Sequence, residues 1–305
     1  MAEQKSAGTS IGSGQDCLSP AQTLRKAADV GAGKASMPHW RAFLLAVMAG
    51  LFIAMGAALM LVVKSDSSLG FASSQILSGL VFSVGLFLVV VAGAELFTGN
   101  NLMVIGCLSG RYGASRLVGS WLTVYAGNFV GSLLLVLILV GANFAGLNGG
   151  AVGVAAASVA ASKASLSPVA AFCRGIMCNV LVCLAVWMSF AGRSVADKFL
   201  ACVMPVMGFV ASGYEHCVAN MFFLPYGLLT QSLGLGGDAS VVLLAGACSN
   251  LLWVTLGKLV GGAVLVGCTY WLALGRERPK APAPSASVAE QGSADTSRLE
   301  DKSLS

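Results

Sequence analysis

Six long apolar runs follow one another along the chain, separated by short polar stretches. They lie near 40–63, 75–109, 115–145, 169–191, 198–231 and 240–274. A helix that spans a membrane needs about 20 apolar residues, at roughly 1.5 Å per residue. Every run meets that length, so the pattern predicts an all-α membrane protein with six transmembrane helices.

The second and fifth runs are too long for one straight crossing, and a polar segment interrupts each of them. The segments read G-A-E-L-F-T-G-N at 93–100 and G-Y-E-H-C-V-A-N at 213–220. Gly, Glu and Asn recur at identical offsets, and the residues of these breaks are Gly93, Glu95, Gly99, Asn100, Gly213, Glu215 and Asn220. Acids inside lipid usually face a cavity or a partner, and matching breaks in two halves point to a transporter's binding site. We therefore predict that both breaks line a pore.

A second pair of motifs supports an internal repeat. The third run contains G-N-F-V-G-S at 127–132, and the sixth contains G-K-L-V-G-G at 257–262. Repeat one is therefore assigned to 39–148 and repeat two to 163–275. Because three crossings per repeat is an odd number, the second copy must be inverted in the bilayer. The second and fifth helices of the six are then the broken ones.

Polar segments flank this six-span domain at 39–275. Residues 1–38 include a short predicted helix at 19–34, with Ser19 as N-cap, Pro20 in the first turn and Gln22 completing a capping box. Residues 276–305 are rich in Pro, Ala and Ser and are predicted to be a disordered tail. Lys and Arg gather in both end segments and in the loops near 111–116 and 193–198. The positive-inside rule therefore predicts that both termini are cytoplasmic, and a plasma membrane is expected rather than an organelle membrane.

Composition agrees with the membrane class and removes several others. The 305 residues are 56% hydrophobic and 10% charged, whereas soluble domains are about a quarter charged. The net charge of +5 is scattered over loops and tails, so nucleic-acid binding is not expected. Nine cysteines form no CxxC pair and no metal-like cluster with histidine, and they are interpreted as small packing residues. No cofactor or metal is expected.

Five motifs in combination resemble the formate/nitrite transporter family over 19–271. They are A-E-L-F-T-G-N (94–100), G-N-F-V-G (127–131), C-N-V-L-V-C-L-A-V-W (178–187), G-Y-E-H-C-V-A-N-M (213–221) and V-T-L-G-K-L-V-G-G (254–262). The resemblance implies an aquaporin-like protomer and a homopentamer with one pore per protomer. It also implies passage of small monovalent anions such as formate, nitrite or lactate across the lipid bilayer.

The same resemblance implies three groups of pore residues. Two lipophilic constrictions fall on Phe82, Leu86, Leu96 and Phe209, an outer vestibule on Lys163, Asn179 and Glu215, and a central group on Thr98, His216 and Lys258. Lys258 departs from the family, which usually has Asn there. The amine could face the pore, stand neutral by desolvation, or reach a lipid headgroup. Its repeat partner Asn128 lies in the same glycine frame, which favours the pore.

A small anion needs help at an apolar constriction, because desolvating its charge costs more than one contact returns. Half-helices that restart near Asn100 and Asn220 would aim positive N-terminal ends at the midplane, and Lys163 adds a positive charge near the outer mouth. His216 is the sole imidazole within the six runs, and imidazole ionises near neutral pH. We hypothesise that anion and proton pass together, crossing Phe82/Leu86 or Leu96/Phe209 as the neutral acid. Whether His216 donates the proton or only polarises the site stays open.

Other interpretations of the same residues remain. Glu95 and Glu215 could accept orphan N–H groups at the half-helix ends, and Thr98 could bond back to its own helix. The alternative function is an aquaporin-like channel for water or small neutral solutes, although the paired N-P-A boxes of that family are missing. An intramembrane enzyme is not expected, because the apolar runs contain neither G-x-S-x-G nor H-E-x-x-H.

Overall fold

The computed structural model describes residues 17–239 and 241–275, which form helices joined by short loops. The helices are α1 (Pro20–Ala35), α2 (His39–Lys64), α3 (Phe71–Ala92), α4 (Val104–Leu108), α5 (Ala114–Gly141), α6 (Ala151–Ala164), α7 (Pro168–Ala191), α8 (Val195–Ala211), α9 (Cys217–Ser232), α10 (Leu244–Leu259) and α11 (Thr269–Leu274). A 3-10 segment at Gly99–Met103 leads into α4, and a π-helical segment at Val260–Cys268 joins α10 to α11. The predicted tail at 276–305 lies outside the described residues.

Five helices of the described chain are long and apolar enough to cross a membrane. They are His39–Lys64, Phe71–Ala92, Ala114–Gly141, Pro168–Ala191 and the continuous helix Leu244–Leu274. The run predicted at 198–231 is divided between α8 and α9, with 17 and 16 residues. Neither alone has the roughly 20 residues of a crossing. The all-α membrane class is confirmed. Five helices of the described residues are long enough to cross a membrane without a break, whereas six transmembrane helices were predicted.

Helix α1 begins at a capping box. The Ser19 hydroxyl accepts the Gln22 backbone N–H, and the Gln22 side chain accepts the Ser19 N–H at 2.8 Å. Helix α1 buries Leu24, Ala27 and Ala28 in one apolar cluster with residues of α4, α7 and the π-helical segment. This contact places the C-terminal end of α1 beside the first helix break.

Helix α6 is a feature that the apolar pattern did not predict. Its 14 residues are too short for a crossing, and they join the two repeats in the chain. Its buried face consists of small residues and packs against α9, where a Cβ on Gly227 would lie 2.2 Å from Ala160 Cβ. As a result, the C-terminal end of α6 lies beside the second break.

Glycines bring the long helices into backbone contact. A Cβ on Gly131 of α5 would lie 1.9 Å from Val47 O of α2. In the second half, a Cβ on Gly261 would lie 2.2 Å from Ile176 O of α7. Small residues allow such close approach between membrane helices. The glycine motifs at 127–132 and 257–262 therefore serve the same packing purpose in each half.

Substitution of Gly131 by Ala is expected to destabilise the protein by about 2 kcal/mol, because the added methyl forces α2 and α5 apart. The midpoint of thermal unfolding of the purified protein measures this loss. Gly33→Ala is the matched control, since a Cβ there meets nothing within 4 Å and Ala favours the helix. A Gly131→Ala protein as stable as the Gly33→Ala protein would contradict the close packing.

Candidate transport pathway

Two helices end at left-handed glycines of equal offset. Helix α3 ends at Ala92 before Gly93, which has φ 78°, and the chain resumes a helical path at Gly99. Helix α8 ends at Ala211 shortly before Gly213, which has φ 68°, and α9 begins at Cys217. Glycine is the residue that adopts this backbone region most readily, because it has no Cβ. The two breaks therefore have the same local cause.

The first break carries a cluster of the partly buried Lys34 with the buried Glu95 and Asn100, here called the Lys34 cluster. Lys34 Nζ lies 3.0 Å from Glu95 Oε2 and donates to Asn100 Oδ1 at 2.7 Å. Asn100 Nδ2 donates to Glu95 Oε2 at 2.7 Å. Glu95 thus has an ammonium partner as well as an amide, and the acid in the break is neutralised.

The second break carries the corresponding Lys163 cluster of Lys163, Glu215, Asn220 and Asn250. Lys163 Nζ lies 3.0 Å from Glu215 Oε1, and Asn220 Nδ2 donates to Glu215 Oε2 at 2.6 Å. Asn250 accepts from Asn220 at 2.6 Å and donates to the Lys163 carbonyl at 2.9 Å. The positive charge expected from Lys163 is therefore paired, and this cluster carries no net charge.

Lys34 is the residue that the sequence interpretation missed. Its place in the N-terminal segment 1–38 predicts only an orientation, by the positive-inside rule. A signal was available, because K-A-S occurs at 34–36 and again at 163–165. In each copy the lysine is the second-last residue of a helix, α1 or α6, that ends beside a break.

Each lysine cluster lines a cavity. The Lys34 vestibule has about 230 Å³ and is lined by Lys34, Glu95, Asn100, Leu86, Leu96 and Lys198 among others. The Lys163 vestibule has about 100 Å³, and its walls include Lys163, Glu215, His216, Phe82 and Phe209. The two breaks therefore open into separate cavities, each with charged side chains in a largely apolar wall.

The four predicted constriction residues are all buried, but they pair differently from the hypothesised Phe82/Leu86 and Leu96/Phe209. The Phe82 and Phe209 rings meet edge to face with centroids 5.8 Å apart, at the Lys163 vestibule. Leu86 and Leu96 both line the Lys34 vestibule. The reason is that α3 packs along α8, which brings Phe82 to Phe209 and leaves Leu86 one turn further along.

His216 lies between the aromatic pair and Thr98. Its ring centroid is 5.8 Å from Phe209 and 6.3 Å from Phe82. Its Nδ1 accepts the backbone N–H of Ala219 at 3.2 Å and so caps α9. An accepting Nδ1 leaves the proton of the neutral ring on Nε2. That Nε2 faces Thr98 Oγ1 at 3.5 Å, the outer limit of a hydrogen bond.

Lys258 and Asn179 both lie beside Thr98. Lys258 is fully buried and its Nζ lies 2.6 Å from Cys178 Sγ, so its amine does not reach a lipid headgroup. Asn179 Nδ2 donates to the Lys258 carbonyl at 2.8 Å and to the Thr98 carbonyl at 3.4 Å. Asn179, expected in the outer vestibule with Lys163, thus belongs to the group around Thr98.

The fold and this site define an all-helical integral membrane protein of the channel or transporter class, with polar breaks between two vestibules. A family model described as formate/nitrite transporter matches residues 21–272. Over 275 residues, the chain is 37% identical to the formate channel FocA of Escherichia coli (strain K12), covering 86% of this chain and 96% of that one. It is 34% identical to the nitrite transporter NirC of Salmonella typhimurium over 239 residues, covering 77% and 84%.

A solved structure described as a pentameric formate channel with formate bound has a similar fold. Its TM-score is 0.70 at 36% identity, covering 77% of this chain and 97% of that one. The chain belongs to the formate/nitrite transporter family. The relatives are channels and transporters and not enzymes, which agrees with the class that the site defines.

Proposed function

We propose that the protein carries small monovalent anions, formate among them, across a membrane together with one proton. The observation that carries this proposal is the position of His216, which lines one vestibule, contacts both rings of the Phe82–Phe209 pair and faces Thr98 of the other break. The similarity to the formate channel FocA, the nitrite transporter NirC and the formate-bound pentamer supports an anion of this size.

The assembly belongs to the same proposal. Helices α8 and α9 together form the fifth of six crossings, and repeats 39–148 and 163–275 are related by inversion as in an aquaporin-like protomer. The matching Lys34 and Lys163 clusters support this relation. Five protomers assemble into a homopentamer, as in the formate-bound structure. Segment 1–38 and the tail at 276–305 then lie on the cytoplasmic side of a plasma membrane, and the Lys34 vestibule opens to the cytoplasm.

His216 acts in this route as a hydrogen-bond donor. Protonating Nδ1 would remove the acceptor that caps α9, so the ring stays neutral and offers Nε2–H to the anion. Donors fixed in a water-poor site replace part of the hydration that the anion loses. The accompanying proton comes from bulk water, so no net charge crosses the Leu86–Leu96 and Phe82–Phe209 pairs.

Replacing His216 by Phe is expected to lower uptake of labelled formate into proteoliposomes by roughly tenfold, the effect of losing one hydrogen bond to a charged group. Uptake by the unmodified protein should rise as the external pH falls, because a proton accompanies the anion. His39→Phe is the matched control, since His39 is exposed and bonds only Thr123 at 2.8 Å. Equal uptake and equal pH dependence in His216→Phe would remove His216 from the route.

A further inference from the structure

Lys258 is a buried lysine that pairs with no carboxylate in the described part of the chain. The ion pairs within the described residues are Lys34–Glu95, Arg111–Asp29 and Lys163–Glu215, and none of them includes Lys258. Its Nζ lies 2.6 Å from the Sγ of Cys178, which is itself fully buried. Three amine hydrogens and no exposed surface leave this group short of acceptors. The side chain therefore meets the conditions for receiving an anion.

Lys258 and Cys178, here called the pair, lie beside the proposed route. Lys258 Nζ is 5.9 Å from the Phe209 ring centroid, and the His216 ring packs on that same phenylalanine at 5.8 Å. On the other side, Asn179 links the Lys258 carbonyl to the carbonyl of Thr98. Lys258 thus shares a ring neighbour with His216, and its backbone is linked through Asn179 to that of Thr98.

The ionisable groups around the pair do not supply a counter-charge. From α7 they are Cys178 and Cys183, from the start of α9 they are His216 and Cys217, and from α6 and the second break they are Lys163 and Glu215. His216 is neutral in its capping form, and Lys163 cancels Glu215. Cys178 is the one of these groups whose sulfur lies against the amine.

Burial fixes the total charge of the pair when no anion is bound. A lone ammonium held away from water costs several kcal/mol. The pair is therefore neutral overall, either as amine with thiol or as ammonium with thiolate. A bound monovalent anion changes this balance, because the neutral complex then consists of ammonium, thiol and anion. In both cases the pair gains one proton.

We propose that Lys258 and Cys178 form an anion site in the pore and bind one proton together with each anion. Written for the ammonium–thiolate form, the anion pairs with the ammonium of Lys258 while the Cys178 thiolate gains a proton and becomes a thiol. For the amine–thiol form, the proton adds to the amine, and no other bond forms or breaks. This inference rests on the proposed transport function and assigns its proton to the pair.

The proposal distinguishes the protein from a pore that passes only the protonated acid. The anion of a strong acid cannot itself carry a proton at neutral pH, yet this site would bind it. Nitrate is a suitable probe, because it is a planar monovalent anion near formate in size. Formamide resembles formate in shape and carries no charge, so it reports the intact pore independently of Lys258.

The experiment measures inhibition of labelled formate uptake by nitrate and by formamide in proteoliposomes of the full chain. In the unmodified protein, the inhibition constant of nitrate should fall about tenfold for each unit of decreasing pH, the slope of one linked proton. In Lys258→Met it should rise roughly 10- to 100-fold and lose this slope, because a charge-assisted contact is gone. The constant for formamide should not change.

The Cys178 variant tests the second member of the pair. Cys178→Ala removes the sulfur that contacts the Lys258 amine and competes with the anion for it. Nitrate should therefore bind about 2- to 10-fold more tightly. Cys202→Ala is the matched control, a buried thiol on α8. Lys258→Asn carries the residue found at the repeat partner Asn128, and it replaces Lys258→Met if that variant does not fold.

Two results would overturn the inference while leaving transport in place. One is nitrate inhibition in Lys258→Met with the constant and pH slope of the unmodified protein, and the other is weaker nitrate binding in Cys178→Ala. Formate uptake by the unmodified protein no faster than by protein-free vesicles would instead overturn the proposed function, and the inference with it.

Discussion

Substitution of Asn128 by Leu is expected to destabilise the protein by at least about 3 kcal/mol and to abolish formate uptake. Asn128 is fully buried on α5 and bonds three backbone groups. Its Nδ2 donates to Ala46 O at 2.8 Å and to Glu95 O at 2.9 Å, and its Oδ1 accepts the Phe97 N–H at 2.9 Å. Leucine leaves all three unsatisfied, at roughly 1–3 kcal/mol each.

The location of these bonds explains why uptake should fail as well. Glu95 and Phe97 belong to the first break, where the backbone between α3 and Gly99 is not helical. Non-helical backbone inside a membrane needs partners from neighbouring elements, and Asn128 supplies them. Without Asn128, the segment that carries Leu96 and Thr98 loses its fixed position.

Thermal unfolding and formate uptake of the purified protein measure the two effects. Ser132→Ala is the control on the next turn of α5, because the Ser132 hydroxyl makes only long contacts of 3.4 and 3.5 Å. We expect less than about 1 kcal/mol from it. Equal melting points for the two variants would show that Asn128 does not hold the break.

Replacing Glu215 by Ala is the second large effect, with an expected loss of roughly 3–5 kcal/mol, the cost of breaking a buried ion pair by removing one partner. Lys163 and Glu215 have side chains only 13% and 5% exposed. Removal of the carboxylate leaves the ammonium unpaired and also removes one of the two acceptors of Asn220, which keeps only Asn250 Oδ1. The melting point and the uptake of formate should both fall.

A double substitution separates the charge from the packing. In Lys163→Met/Glu215→Gln both charges are gone. The loss of stability in this double variant should therefore be smaller than the sum of the losses in Lys163→Met and Glu215→Gln measured separately. Arg111→Met provides the exposed comparison, because the Arg111–Asp29 pair has both side chains at least half exposed and should contribute less than about 1 kcal/mol. Equal losses from Glu215→Ala and Arg111→Met would contradict the importance assigned to the Lys163 cluster.

Much of the local structure could be predicted from residue type and spacing. The apolar runs define the long helices, since a length of about 20 apolar residues is a local property. Gly93 and Gly213 mark the places where α3 and α8 end, because glycine adopts a positive φ at little steric cost. Ser19 and Gln22 form the predicted capping box at the start of α1. All of these depend on neighbours within a few positions along the chain.

Helix α6 shows where this kind of prediction fails. Its residues are mostly small and apolar, but its 14 residues fall short of a membrane-crossing length. It is stabilised by its close contact with α9 at Gly227, which no local pattern encodes. Once α6 is missed, the equivalence of α1 and α6 is missed too, and with it the role of Lys34.

Residue types and their spacing were enough to predict the helical class, the two glycine-marked breaks, the acids and amides inside them and the family. Which residues meet could be seen only in the packed helices. It placed Lys34 on Glu95, Phe82 against Phe209, and Lys258 against Cys178. The physical reason is that helix propensity and hydrophobic length act between near neighbours. Whether residues on different helices meet depends on where the helices cross and how they are aligned along their axes. Close glycine contacts, such as those between α2 and α5, fix this alignment only when the helices pack.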